Sequence, residues 1–169
     1  MLKNILIVKL FSYIILALIA TVFIASCQAH IGKMWVDRES RPIRVDGELK
    51  FVNADGLTLS SILVEIADTP DAQAKGLMGR DSLDDHYGML FVFAEARSQK
   101  FHMRNTRIPL DIIFIDAKGC ICDIFRNAAP LSKRIYQSSG PIKFAVEVEA
   151  NYTQHFNIDR NACIQWRRF

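Results

Sequence analysis

The chain is expected to fold as a mostly β domain of the α+β class, a compact antiparallel-dominated β-barrel or sandwich with two short helices. Three observations predict this. Period-2 alternation recurs in short runs, most cleanly in Ile62–Ile66 and Lys143–Glu149. Turn signals separate the runs, among them Asp55-Gly56, Asp116-Ala117-Lys118-Gly119 and Ser138-Ser139-Gly140-Pro141. No long helical pattern stands between the strand candidates, so no βαβ alternation is expected.

The elements follow in order. Leu49–Asn53 and Leu57–Ile66 form a hairpin about Ala54-Asp55-Gly56, where Gly tolerates the positive φ of the turn. Thr69–Gly79 is a short helix: Thr69 caps it, Pro70 suits the first turn, Asp71 faces the positive end and Gly79 ends it. Ala74, Leu77 and Met78 make its apolar stripe, and Gly76 inside it costs about 1 kcal/mol against Ala, which points to a close approach. Gly88–Phe93 is a buried strand and Lys100–Met103 a short one. Leu110–Asp116 and Cys120–Arg126 run out and back about a turn. Lys143–Glu149 places Phe144, Val146 and Val148 inward, Ala150–Asn157 forms a short helix, and Ile158–Trp166 contains a last strand.

The first residues read as an address. Lys3 and Lys9 precede the uncharged run Leu10–Ile24, and Ala25-Ser26-Cys27 follows. These are the parts of a secretory signal peptide. The run is short for a membrane span, which needs roughly 20 apolar residues. Ile24-Ala25-Ser26-Cys27 also resembles a bacterial lipobox, in which the Cys is acylated and becomes the new N-terminus. Cleavage after Ala29 by an ordinary signal peptidase and retention as an uncleaved anchor are the alternatives, and all three export the domain. Gln28 follows Cys27, so by the same resemblance the inner-membrane retention residue Asp is lacking and the anchor leans to the outer membrane. The division expected is a signal peptide over 1–26, a lipidated start and tether over 27–48, and one β-rich domain over 49–169.

Composition narrows the function classes. At 169 residues, 50% hydrophobic and 23% charged, the chain is neither a disordered tail nor a multidomain assembly. Its formal charge of +3 owes two cations to Lys3 and Lys9. Without residues 1–26, 19 cations face 18 acids, a net charge of about +1. Nucleic acid is therefore not an expected partner. Cys120, Cys122 and Cys163 remain beyond Cys27. In an oxidising envelope they allow one disulfide and one free thiol, Cys120 or Cys122 meeting Cys163 across the sheet, or else three small buried residues.

Several blocks resemble one known family. Lys75-Gly76-Leu77-Met78-Gly79-Arg80, Gly88–Phe93, Phe101-His102-Met103-Arg104-Asn105-Thr106 with Ile108–Asp116, and Gly140-Pro141 followed by Phe144–Val148 are similar in order and spacing to the signature of the domain-of-unknown-function 192 family, over roughly Leu49–Cys163. The resemblance implies a compact, mostly β domain of a prokaryotic family often carrying export signals, and implies no activity. The chain departs from the signature at His102, where Trp is frequent, at Cys120 and Cys122, and at Ile158-Asp159-Arg160, which replaces a glycine-bearing turn.

Candidate chemistry concentrates between Met103 and Asp111. Pro109 restricts Ile108 to extended geometry, so the chain turns through Arg104-Asn105-Thr106 and re-enters a strand at Leu110. Asp111 is placed to accept from Arg80 or Arg104. The block is then either a polar staple between strands or, with Arg80, His102, Arg104, Asn105 and Asp111 together, a concave site for an anionic or polyhydroxyl ligand. His102 beside Asp111 is the one candidate general base, although a lone strand histidine is more often a packed or edge residue. Asp84-Asp85-His86 reads as a solvated loop rather than a metal corner. With no phosphate loop, dinucleotide fingerprint, zinc spacing or nucleophile elbow recognisable, no cofactor and no metal are expected. Arg97, Lys100, Arg104 and Arg107, and the terminal Trp166-Arg167-Arg168-Phe169, read as a solvated face and a frayed tail or as contacts to anionic head groups. The leading expectation is a lipid-anchored envelope module, facing the periplasm or soluble in it, that binds a polar or anionic ligand or another envelope protein without chemistry of its own. The alternatives are an envelope hydrolase using His102 and Asp111, and a structural lipoprotein.

Overall fold

The computed structural model describes residues 44–169. The expected signal peptide, Cys27 and most of the expected tether lie outside the described residues. Nine strands and two short helices follow in the order β1 (Gly47–Val52), β2 (Thr58–Ala67), α1 (Pro70–Lys75), β3 (Tyr87–Arg97), β4 (Lys100–His102), β5 (Leu110–Ile115), β6 (Ile121–Ala128), β7 (Ile135–Gln137), β8 (Ile142–Glu149), α2 (Tyr152–His155) and β9 (Cys163–Arg168). Among the described residues no helix is long and apolar enough to cross a membrane.

Seven strands make one sheet in the order β6-β5-β8-β3-β2-β1-β9, and β4 pairs with β7 in a second, small one. All pairs but one are antiparallel. The exception is β2 with β3, which run parallel with α1 in the connection between them. A βαβ unit is therefore present where the sequence pattern indicated none. Its helix is only one and a half turns long and carries no sustained apolar stripe of its own.

The β1–β2 hairpin turns as expected. The Asn53 side chain accepts from the backbone N–H of Asp55 and Leu57, at 3.0 and 2.9 Å, and Gly56 takes φ 80°. Helix α1 is capped by Thr69, whose hydroxyl accepts from Ala72 N–H at 3.3 Å. It ends at Gly76 with φ 46°, three residues earlier than expected, so Gly76 is the C-terminal cap and not an interior residue. An added Cβ there would lie 3.4 Å from the Phe91 ring and 3.7 Å from a Glu147 carboxylate oxygen. The chain thus passes directly over β3 and β8. Strand β7, which the pattern did not show, is three residues long and exposed at both ends.

The sheet has a packed cluster on each face. Leu49, Phe51, Val64, Leu90, Ile113, Val146 and Val148 lie in one, joined by Tyr152 and Ile158. Phe91, Leu110, Ile112, Phe114 and Ala145 lie in the other, which Leu77, Met103, Ile108 and Tyr136 cover. Every residue of β5 is buried. The sheet is not closed as a barrel, and the arrangement is sandwich-like. Its two edges approach at one end only, where Ile121 N–H donates to Ala162 and Ile164 N–H to Gly119, at 3.0 and 2.7 Å. Cys120 and Cys163 face each other there and are joined by a disulfide, which leaves Cys122 free. The terminal residues are not frayed: Trp166, Arg167 and Arg168 pair with β1, and the two arginines form ion pairs with Glu48 and Asp68 at 3.1 and 2.6 Å.

The disulfide spans 43 residues of sequence, so by the chain-entropy account its loss in Cys120→Ala/Cys163→Ala lowers unfolding free energy by about 4 kcal/mol. Urea titration of the variant against the parent measures this, and a difference below about 1 kcal/mol would contradict it.

Candidate functional site

Strand β8 lies between β3 and β5, and its register places Glu147 opposite Met89 on one side and Ile112 on the other. The same cross-sheet row continues to Glu65 on β2 and Phe125 on β6. Residues in such a row share a face. Glu147 therefore points toward the cluster under α1, although the clean alternation of Lys143–Glu149 predicts it outward. It is only 6% exposed.

Above Glu147 a cleft of about 250 Å³ opens between α1 with its Gly76 cap, the edge of β3 and strand β4. Phe91, Phe93, Phe101 and Leu77 form apolar walls, and Phe101 packs edge-on against Phe91 with centroids 4.9 Å apart. The polar lining comprises Glu147, His102, Gln73, Gln99, Thr106, Lys75 and Lys100. The Gln73 amide is spent on the sheet, donating to Val92 O at 2.9 Å.

Two of these groups lack partners. The Nδ1 atom of His102 is buried without a hydrogen bond. The Glu147 carboxyl gains no described hydrogen bond or ion pair, and burial alone pushes its pKa up to about 8. It is therefore largely protonated, and a hydrogen-bond donor, at neutral pH. Unsatisfied buried polar atoms are uncommon in folded proteins, and His102 Nδ1 is one, in a cleft that also holds the unpaired carboxyl of Glu147.

The residues expected to form one site are dispersed. Arg80 lies beside Glu65 in a part-buried ion pair, and Arg44 N–H donates to the same Glu65 oxygen at 2.9 Å. Arg104 is exposed. Asn105 has φ 60° and its carbonyl accepts from Gly79 N–H at 2.8 Å, tying the loop after α1 to the turn before β5. Asp111 is fully buried and holds α2 to the sheet. One oxygen accepts from Asn127 and Asn151 N–H at 2.9 and 3.3 Å, the other from Thr153 N–H and hydroxyl at 3.0 and 2.6 Å. The expected pairing of Asp111 with Arg80 or Arg104 is replaced by this cap, since backbone donors reach the strand start first. The segment acts as the polar staple. Of the five, only His102 lines the cleft.

The other charged motifs also take structural places. Arg107 pairs with Asp81 at 3.1 Å. Asp84, Asp85 and His86 cluster in an exposed loop, where Asp84 accepts from His86 N–H at 2.9 Å. The signal that would have found Glu147 is weak: one acid in an apolar run, Ala145–Val148, on a strand flanked by two other strands.

The fold and this cleft define a class, a two-cored β domain with a small, partly apolar cleft lined by Glu147 and His102. The chain belongs to the DUF192 family, described as an uncharacterized ACR, whose model matches residues 51–166. Two crystal structures are similar. One is a protein of Sinorhizobium meliloti provisionally assigned as a transcription regulator, 30% identical, with TM-score 0.70, covering 74% of this chain and 97% of its own. The other is a protein of unknown function from Novosphingobium aromaticivorans, 31% identical, with TM-score 0.67, covering 70% of this chain and 84% of its own. No curated protein matches the chain.

Two substitutions separate the two buried acids. Asp111→Ala strands several buried donors and is expected to cost at least about 3 kcal/mol in urea titration. Glu147 behaves oppositely. Its folded pKa of about 8 lies above the ordinary 4.5, so the fold binds its proton more tightly. The stability it confers is complete below pH 4.5 and is lost as pH rises to about 8. Glu147→Gln is thus expected to be more stable than the parent at pH 9. The gap should close by about 1.4 kcal/mol per pH unit below pH 8, and a pH-independent gap in thermal unfolding would contradict this.

Proposed function

We propose that this chain is an exported module of the cell envelope, held to the membrane by acyl groups on Cys27, that binds a small polar ligand in the Glu147–His102 cleft and performs no chemistry of its own. The observation that carries the binding role is one cleft lined by both the buried, unpartnered Nδ1 of His102 and the buried carboxyl of Glu147, which has no described partner. Apolar walls with a few placed polar groups are the general form of a small-molecule site. A hydrolase acting through His102 and Asp111 needs both in one pocket. Here the Asp111 carboxylate is occupied by four donors at the α2 cap, and His102 lines the cleft.

Export is supported from both ends of the chain. Lys3, Lys9, the apolar run and Ile24-Ala25-Ser26-Cys27 have the order of a lipoprotein signal. Independently, a Cys120–Cys163 disulfide suits an oxidising compartment and is uncommon in a reducing cytosol. With Gln28 after Cys27, the outer membrane is the destination favoured, the domain facing the periplasm.

Intact-mass measurement on protein purified from its native membrane tests the anchor. The expected species begins at Cys27, carries acyl chains, and is two hydrogens lighter than its reduced form. An unmodified chain beginning near His30 would overturn the anchor, and a chain still beginning at Met1 would overturn the cleavage.

A further inference from the structure

We propose that the cleft takes a small organic monocarboxylate, whose carboxylate accepts from Glu147, His102, Lys75 and Lys100 and whose apolar part lies against Phe91 and Leu77. The inference rests on the cleft being a binding site and assigns the chemistry of its occupant. It follows from the balance of charge in the lining. Lys75 and Lys100 stand exposed at the rim and belong to none of the described ion pairs. Their ammonium groups only donate. Glu147 donates while it holds its proton, and the buried His102 Nδ1 lacks a partner. Glu147 is the one carboxyl among the lining residues. Lys75 and Lys100 bring two positive charges to the cleft and, while Glu147 holds its proton, no lining residue brings a negative one, so an anionic oxygen completes it and a cation does not. The apolar walls and the size, at the small end of ligand sites, favour an organic acid over a bare inorganic anion.

The charged surroundings of Glu147 set the pH response. Lys75 lines the same cleft from the end of α1, and Lys100 and His102 from β4, while burial is the one influence that shifts Glu147 itself. Glu65, paired with Arg80, lies two strands away in the same row. Its immediate row neighbours on β3 and β5, Met89 and Ile112, are apolar. Once Glu147 ionises, it repels a bound carboxylate and attracts an amine.

Three probes sharing one ring separate the possibilities: benzoate, benzylamine and benzyl alcohol, titrated into the full-length protein by calorimetry at pH 7 and pH 9. Benzoate is expected to bind in preference to the other two, with affinity falling about tenfold from pH 7 to pH 9. In Glu147→Gln, whose amide still donates, benzoate binding should persist and the fall should disappear. Lys100→Met should weaken benzoate at both pH values and leave the tenfold ratio in place. Benzylamine binding that strengthens with pH, or benzoate binding that is flat with pH in the parent protein, would overturn the carboxylate assignment while keeping a polar ligand site. Failure of all three probes at millimolar concentration would overturn the binding site as well.

Discussion

Strand β8 has a hydrogen-bonded neighbour along each edge and a packed cluster against each face. That constraint leaves no solvent-facing side for Ala145–Val148, so both alternate sets there must be accommodated inside the protein. Val146 and Val148 enter one cluster at no electrostatic cost. Ala145 and Glu147 enter the other, and there the strand delivers a carboxyl into an apolar layer. The layer does not close over it, because Gly76 ends α1 directly above and leaves room for the cleft. The candidate site is thus a consequence of where β8 sits in the strand order.

The two buried acids show how position decides chemistry. Asp111 is the second residue of β5, next to the chain ends of β6 and β8, where four donors converge on it. A carboxylate so solvated by the protein is a structural fastening. Glu147 sits mid-strand, where backbone groups are already committed to the ladders on both sides. With nothing left to donate to it, burial favours its neutral form. One acid therefore holds the fold together, and the other lines the cleft.

The short α1 connection serves both ends of this arrangement. It carries the chain from β2 to the parallel strand β3 within a few residues, and its Thr69 cap and Gly76 stop keep it that short. The loop beyond it is pinned by Asn105, and Arg80 pairs with Glu65 on the sheet below. On the far side, the β4–β7 ribbon presents His102 and Lys100 to the same opening. Two loops distant in sequence thereby supply the walls of one cleft. At the opposite end, Cys120 and Cys163 fasten the sheet edges where hydrogen bonding between them is confined to a few residues.

Local patterns carried much of the fold. Period-2 runs, the Asp55-Gly56 turn, the Thr69-Pro70 helix start and the family blocks from Lys75 to Val148 state their structure within a few residues, because sterics and side-chain-to-backbone bonding act at that range. At Arg104–Asp111 the pattern left a polar staple and a ligand site both open, and at Cys120, Cys122 and Cys163 a disulfide and three buried thiols; the fold joins Cys120 to Cys163. The parallel β2–β3 pair, strand β7, the early end of α1 at Gly76 and the burial of Glu147 were not. Each depends on which strand lies beside which, and strand order is set by packing between segments far apart in the chain. By itself the sequence determined a mostly β domain with the blocks of the DUF192 family. Only the tertiary structure decided that Asp111 would be consumed as a cap and Glu147 left unpartnered beside His102, because a side chain's electrostatic environment is made by neighbours that the fold, not the chain order, brings to it.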